Sequence, residues 1–207
     1  RLTNPEILLV CENTSPLVCF YTSEYDNQIS FIKGEADSIR EYICIDEENP
    51  ALDNYQAFIN RGEQTNRTYE PAPSAPVCIV HTSGTTGKPK GAVLSQSALH
   101  GIANTISADA GIEKDDIGLL MQPLFHVGAK FLQLAHHIKG ATIQLELAFE
   151  PENAWIILAQ EKITTMQLVP TMLDVLLHEF EDGKHPKTAL KTIFYSTAPI
   201  RESLLRR

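Results

Sequence analysis

The feature that most constrains the fold is an alternation. Between residues 77 and 207, short apolar runs take turns with longer segments whose apolar residues recur every three or four positions. The runs "VCIV", "GAVLS", "IGLLMQ", "ATIQLEL", "TTMQLV" and "TIFYS" have strand length, and Ile143, Leu145 and Leu147 alternate onto one face of a half-exposed strand. "SALHGIANTISADAGI", "KFLQLAHHIKG", "PENAWIILAQEK" and "TMLDVLLHEFEDG" predict helices. The first turns Ala98, Leu99, Ile102, Ala103 and Ile106 inward. The second turns Phe131, Leu134, Ala135 and Ile138 inward and stops at Gly140. Pro151 opens the third; Thr171 and Asp174 suit a capping box on the fourth, with Gly183 at its C-cap. "RESLLRR" begins one more helix. This order predicts an α/β fold, a mostly parallel sheet flanked by helices.

Residues 1–62 read as a partial α/β lobe, with strand-like "EILLV", "LVCFYT" and "EYICI". A helix follows over "PALDNYQAFINRG", begun by Pro50 and capped by Gly62. Residues 63–76, polar and carrying Pro71, Pro73 and Pro76, form a linker to the 77–207 lobe. With 43% apolar and 21% charged residues the chain has enough apolar surface for a core. A net charge of −9 argues against nucleic acid as a partner. Cys11, Cys19, Cys44 and Cys78 are widely spaced, without a C-x-x-C pair, and read as reduced thiols of a cytoplasmic protein. No run approaches the ~18 apolar residues of a membrane span, and no signal segment opens the chain. Beginning at Arg1 and stopping within helical sequence, the chain reads as a piece of a longer protein.

The richest chemical signal is "VHTSGTTGKPKG", Val80 to Gly91. Gly84, Gly87 and Gly91 let backbone approach a polyphosphate; Ser83, Thr85 and Thr86 add hydroxyls, and Lys88 and Lys90 add charge. It is no Walker loop: Thr82 stands five before Gly87 where a Gly is needed, and Pro89 follows Lys88 in place of Ser or Thr. Strands also flank it on both sides. A G-x-G-x-x-G kinase loop is missing as well.

"HTSGTTGKPKGAVLS" resembles the signature loop of the adenylate-forming superfamily, which includes acyl-CoA synthetases, luciferases and the adenylation domains of peptide synthetases. "MQPLFHVGAK", "MQLVPTMLDVLL" and "YSTAPI" resemble that family's proline-aromatic-His segment, acyl-pocket strand-helix and adenine loop, in the same order. The match is firm for residues 77–207 and vague before them. It implies a partial N-terminal domain of such an enzyme, with Thr82, Ser83, Gly84, Thr85, Thr86, Gly87, Lys88 and Lys90 around the ATP phosphates. Ser196, Thr197, Ala198 and Pro199 would lie against adenine. His126 would act near the substrate carboxylate, with Gly128, Lys130, Val169 and Pro170 around the acid. Three places depart from the common pattern: Gln96 stands where a His is frequent, Ala129 where a second Gly is, with Lys130 beside it as a polar contact, and Ser196 or Thr197 where glycines are commoner in the adenine loop.

By the same resemblance the parent protein is an ATP-dependent acid:thiol ligase of fatty acid metabolism. It would use Mg²⁺ and form an acyl adenylate, then a thioester, most directly with coenzyme A. A carrier protein is the alternative acceptor, and a non-catalytic nucleotide-binding module the alternative class. Amino-acid-activating members place an Asp in the segment matched by "PLFHVGAK". No Asp or Glu lies between Met121 and Ile138, so the acid is expected to lack an amino group. The Mg²⁺-holding Glu, the ribose-binding Asp and the Lys of the C-terminal domain are expected beyond Arg207, so the chain alone is expected not to turn over. Lone His126 between Phe125 and Val127 is otherwise an ordinary histidine. Adjacent His136 and His137 diverge on a helix and do not suit a metal pair. "HEFED" has Asp182 where a zinc protease needs its second His, so His178, Glu179, Glu181, Asp182 and His185 read as a solvated helix end.

Overall fold

The computed structural model describes residues 2–46, 55–63, 65, 69–82, 90–180, 187–196 and 198–206. The chain divides into two compact units, Arg1–Pro71 with Ile79–Val93, and Ala72–Cys78 with Leu94–Arg207.

In the first unit the elements are α1 (Asn4–Thr14), β1 (Val18–Tyr21), α2 (Asp26–Ile32), β2 (Glu41–Cys44) and α3 (Tyr55–Asn60). β1 and β2 pair in parallel, Val18 opposite Glu41 through Tyr21 opposite Cys44. Tyr21, Ile29, Ile32 and Cys44 form the core. "EILLV", expected as a strand, is the middle of α1. The local reason is a start signal: the Thr3 backbone N–H and hydroxyl both donate to the Glu6 carboxylate, at 2.7 and 2.8 Å, and Pro5 stands in the first turn. A capping box of this kind nucleates a turn that a bare apolar run would not. The expected start of the next helix at Pro50 lies outside the described residues. All four cysteines are free, and burial pushes the Cys11 and Cys19 thiols up.

β3 (Pro76–Thr82) and β4 (Lys90–Ser95) form a two-stranded sheet whose residues are split between the units. The second unit continues with α4 (Gln96–Asp109), β5 (Ile117–Leu120), α5 (Val127–Lys139), β6 (Thr142–Leu145), α6 (Pro151–Gln160), β7 (Thr165–Leu168), α7 (Pro170–Phe180), β8 (Thr192–Tyr195) and α8 (Glu202–Leu205). Its sheet runs β6-β5-β7-β8 with every pair parallel, as the alternation predicts. Successive β5 residues point to opposite faces. Leu119 joins Met166 and Leu168 under α6 and α7, together with Leu158, Leu173 and Leu176. Leu120 faces the other way, into a cluster with Leu132 and Ala135 of α5. Trp155 Nε1 donates to the Leu176 carbonyl at 3.1 Å and ties α6 to α7.

Polar bonds fasten the N-terminal ends of these strands. Asp116, 2% exposed, accepts the Glu113 backbone N–H at 2.8 Å and the Lys191 ammonium at 2.9 Å. Thr164 Oγ1 accepts the Ile117 N–H at 3.0 Å, and the Thr164 carbonyl accepts the Lys191 N–H at 2.7 Å. Desolvation pushes the Asp116 carboxyl up, but the Glu113 N–H and Lys191 outweigh it and hold it below the usual carboxylate range.

α5 is rotated from the expected face. Ala129, Leu132, Ala135 and His136 are buried, while Ile138 is exposed. His136 drives the rotation. Its Nδ1 lies 2.9 Å from the Leu132 carbonyl and must carry the proton donated there. Its Nε2 then accepts the Thr165 hydroxyl at 2.7 Å. The ring sits over Gly118, where an added Cβ would lie 2.6 Å from Nε2. His137 is exposed, so the two histidines diverge. In α4, Ala103 and Ser107 are buried and Ala98 is exposed, against expectation. Helix α7 starts at Pro170, so Thr171 lies inside it and cannot be the cap; the expected stop at Gly183 lies outside the described residues. Leu147 falls past the end of β6 and is fully exposed. Among the described residues no helix is long and apolar enough to cross a membrane.

Two outcomes follow. Gly118→Ala forces a methyl against a ring pinned at both nitrogens and is expected to destabilise the chain by about 1–3 kcal/mol in urea unfolding. Burial holds the His136 ring below its usual pKa; the Leu132 carbonyl and the Asp116 charge oppose this, and His137 adds to it. The folded state therefore binds fewer protons than the unfolded one. This contribution is whole above about pH 6.5 and is lost as the pH falls below it. The urea midpoint should drop between about pH 7.5 and 5.5, and His136→Gln should flatten that slope.

Candidate functional site

All four strands of the second sheet point the same way, so their C-terminal ends share one edge. From β5 the chain moves to β6 on one side, and from β7 to β8 on the other. The order reverses between β5 and β7, the place where open α/β sheets form a crevice. His126, Gly128 and Lys130 come just after β5, Val169 and Pro170 just after β7, and Ser196, Ala198 and Pro199 just after β8. Parallel pairing thus gathers residues as far apart in sequence as His126 and Pro199 onto one edge.

His126 is the N-cap residue of α5, with extended backbone angles and a side chain that makes no capping bond. Its N–H donates to the Pro123 carbonyl at 3.0 Å, and its carbonyl accepts the Lys130 N–H at 3.2 Å. The backbone is therefore held while the ring is exposed, tilted 48° against Phe125 with centroids 4.5 Å apart. Lys130 is half-buried and its Nζ donates to Gln133 Oε1 at 3.2 Å. Val169 and Pro170 are half-buried at the β7–α7 junction, the Val169 carbonyl accepting the Leu173 N–H at 3.1 Å. Ala198 and Pro199 are exposed.

Gly128 and Ser196 meet at a residue that the sequence reading did not single out. Gln167 of β7 donates from Nε2 to Ser196 Oγ at 3.2 Å. A Cβ on Gly128 would lie 2.9 Å from that same nitrogen, so the bare backbone of α5 leaves room for the amide. Among the described residues Gln167 Oε1 is buried without a hydrogen-bond partner. The signal was present in "TTMQLV", as a long polar side chain inside a strand with all four of its residues buried. Gln167, Gly128 and Ser196 line a cavity of about 490 Å³, with Ile106, Phe131 and Phe194 among its apolar walls.

In the first unit Thr82 ends β3 and Lys90 opens β4. Ser83, Gly84, Thr85, Thr86, Gly87, Lys88 and Pro89 lie outside the described residues, as does Thr197. Gly91 packs closely on Ile79 and His81. Among the described residues no group of three or more His, Cys, Asp or Glu could hold a metal ion. His178 is exposed, 3.9 Å from Asp174; Glu181, Asp182 and His185 lie outside the described residues.

Comparison with known proteins covers the whole chain, including the first 76 residues where the sequence resemblance was vague. An indoleacetate–CoA ligase of Aromatoleum aromaticum is 31% identical over 100% of this chain and 41% of its own length. A fatty acid–[acyl-carrier-protein] ligase of Streptomyces coeruleorubidus is 28% identical over 99% of the chain and 39% of its own length. The chain thus spans about 40% of these curated relatives. The N-terminal domain of FACL13 from Mycobacterium tuberculosis superposes with a TM-score of 0.89 at 22% identity, over 100% of this chain and 51% of that one. The profile of AMP-binding enzymes matches residues 1–207, and with the sheet, the signature segments and these relatives in agreement, the chain belongs to the AMP-binding enzyme family.

Proposed function

We propose that the chain is the phosphate- and acid-binding part of an ATP-dependent carboxylic acid:CoA ligase acting in the cytoplasm. The observation that carries this is the alignment of the whole chain, at 31% identity, with 41% of the length of a CoA ligase. In this reading the acid's carboxylate attacks the α-phosphorus of ATP, and the bond to the β-phosphate breaks to release pyrophosphate. A thiolate then attacks the acyl carbon and AMP leaves. Both steps bring anions together, so fixed donors and cations aimed at the phosphates carry most of the catalysis.

The residues of this chain divide that work. Thr82–Lys90 would bind the β- and γ-phosphates through backbone N–H groups, hydroxyls and the two lysines. Ser196, Thr197, Ala198 and Pro199 would flank the adenine. His126, held by its backbone with its ring free, would meet the carboxylate, and Gly128, Lys130, Val169 and Pro170 would border the acid. Mg²⁺ would shield phosphate charge, held by residues beyond this chain. The similarity to a carrier-protein ligase favours one second reading, in which the acyl group passes to a protein-bound thiol.

The intact protein incubated with ATP, Mg²⁺ and a panel of fatty and aryl acids should release pyrophosphate and form an acyl adenylate detectable by mass spectrometry. An intact protein that activates amino acids alone would overturn the reading. The 207-residue chain is expected to give no adenylate. Calorimetry with ATP·Mg²⁺ should show affinity falling at least about tenfold in the Lys88→Ala/Lys90→Ala double variant. Unchanged heats would remove the loop from phosphate binding.

A further inference from the structure

We infer that His136 is a positioning residue for the proposed reaction: it fixes the rotation of α5 on the sheet, and through the helix the places of His126, Gly128 and Lys130 at the acid-binding edge. This rests on the reading that the chain binds ATP and a carboxylic acid. Gly128, Leu132 and His136 stand at i, i+4 and i+8, one row along α5. The two ends of that row meet β7 at residues two apart on one face. His136 Nε2 accepts the Thr165 hydroxyl at 2.7 Å, and Gly128 leaves room for the Gln167 amide. The apolar residues of α5 by themselves favour another seating, with Ile138 inward, yet Ile138 is exposed. What holds the observed seating is a wholly buried ring over Gly118, bonded at both nitrogens.

A helix of 13 residues carries a rotation along its whole length, ~20 Å. His126 caps its N-terminus and Lys130 lies one turn on. His136 stands ~12 Å along the axis from Gly128, so it acts through the helix rather than on the acid. The bond from Thr165 exists only for the neutral ring, because a protonated imidazole has two donors and no acceptor. Burial opposes the charged form, as does His137, while the Leu132 carbonyl and Asp116 favour it. β5, β6 and β7 carry no titratable side chain, and those of α4, His100 and Asp109, are exposed. The remaining charges on α5 are Lys130, bonded to Gln133, and the exposed Lys139. Protonation frees the row, so the acid edge loosens as the pH falls below about 6.5.

The test uses the intact protein and initial rates of pyrophosphate release, with the acid of the panel that the wild type adenylates fastest. At pH 7.5 His136→Leu should raise the KM for the acid at least about fivefold and leave the KM for ATP within about twofold. His136→Gln keeps an acceptor and cannot take up a proton, so it should stay within about twofold of wild type in both. Between pH 7.5 and 5.5 the acid KM of the wild type should rise at least about threefold more than that of His136→Gln. A purely structural role lowers the amount of active enzyme, hence kcat, and leaves both KM values alone. That result, an equal rise in both KM values, a His136→Gln variant as impaired as His136→Leu, or coincident pH profiles would each overturn the inference. Where His136→Leu fails to fold, Thr165→Val breaks the same bond from the sheet side and should give the same split. An unchanged acid KM in Thr165→Val would overturn the inference equally. No adenylate with any acid of the panel would overturn the ligase reading and this inference with it. Adenylate formed without the KM split would overturn this inference alone.

Discussion

A buried carboxylate holds the larger sheet together. Asp116 sits just before β5, almost wholly out of water, where an unpaired negative charge would be prohibitive. Its partners come from two places in the chain: the Glu113 N–H in its own turn, and Lys191, 75 residues on, just before β8. Thr164, just before β7, bonds to Ile117 and Lys191. Three strands are thereby aligned at their N-terminal ends by groups that tolerate little displacement, since moving any one of them strands a buried polar atom. The β5, β7 and β8 registers follow from that alignment, and through them the positions of every residue on the opposite edge.

That division of labour runs along single strands. On β7, Thr165 and Gln167 project from the same face two residues apart. Thr165 bonds to His136 inside the packed region, and Gln167 borders the cavity. The first gives its hydroxyl proton to a partner within the fold; the second has an acceptor with no partner among the described residues. The fastening polar bonds lie at the start of the strands and the candidate site residues at their ends, so changes in the loops after β5, β7 and β8 need not disturb the register.

The sheet was legible in the sequence because strand and helix periods differ sharply. Every strand expected between residues 77 and 207 is present, as are the four helices between them. The failures were local and share a cause: polar contacts invisible to apolar periodicity. "EILLV" became helical because Thr3 and Glu6 cap it. α5 turned away from the face that its apolar residues suggested because His136 finds two partners inside, leaving Ile138 outside. The candidate site was legible through family signature segments rather than through spacing. Gln167 escaped because its setting depends on Gly128 and Ser196, each 29 or more residues away and brought close only by parallel pairing.

The packing of Gly118 under His136 also bears on how this sequence can drift. A side chain at 118 is compatible only with a smaller residue at 136, and a smaller residue there leaves the Thr165 hydroxyl buried without a partner. Single changes at any of the three positions pass through a less stable intermediate, whereas a concerted exchange, such as alanine at 118 with apolar residues at 136 and 165, restores a filled core. Glycine, histidine and threonine at these places are thus coupled physically, and their joint replacement in an aligned relative would mark a different solution to the same layer of the core.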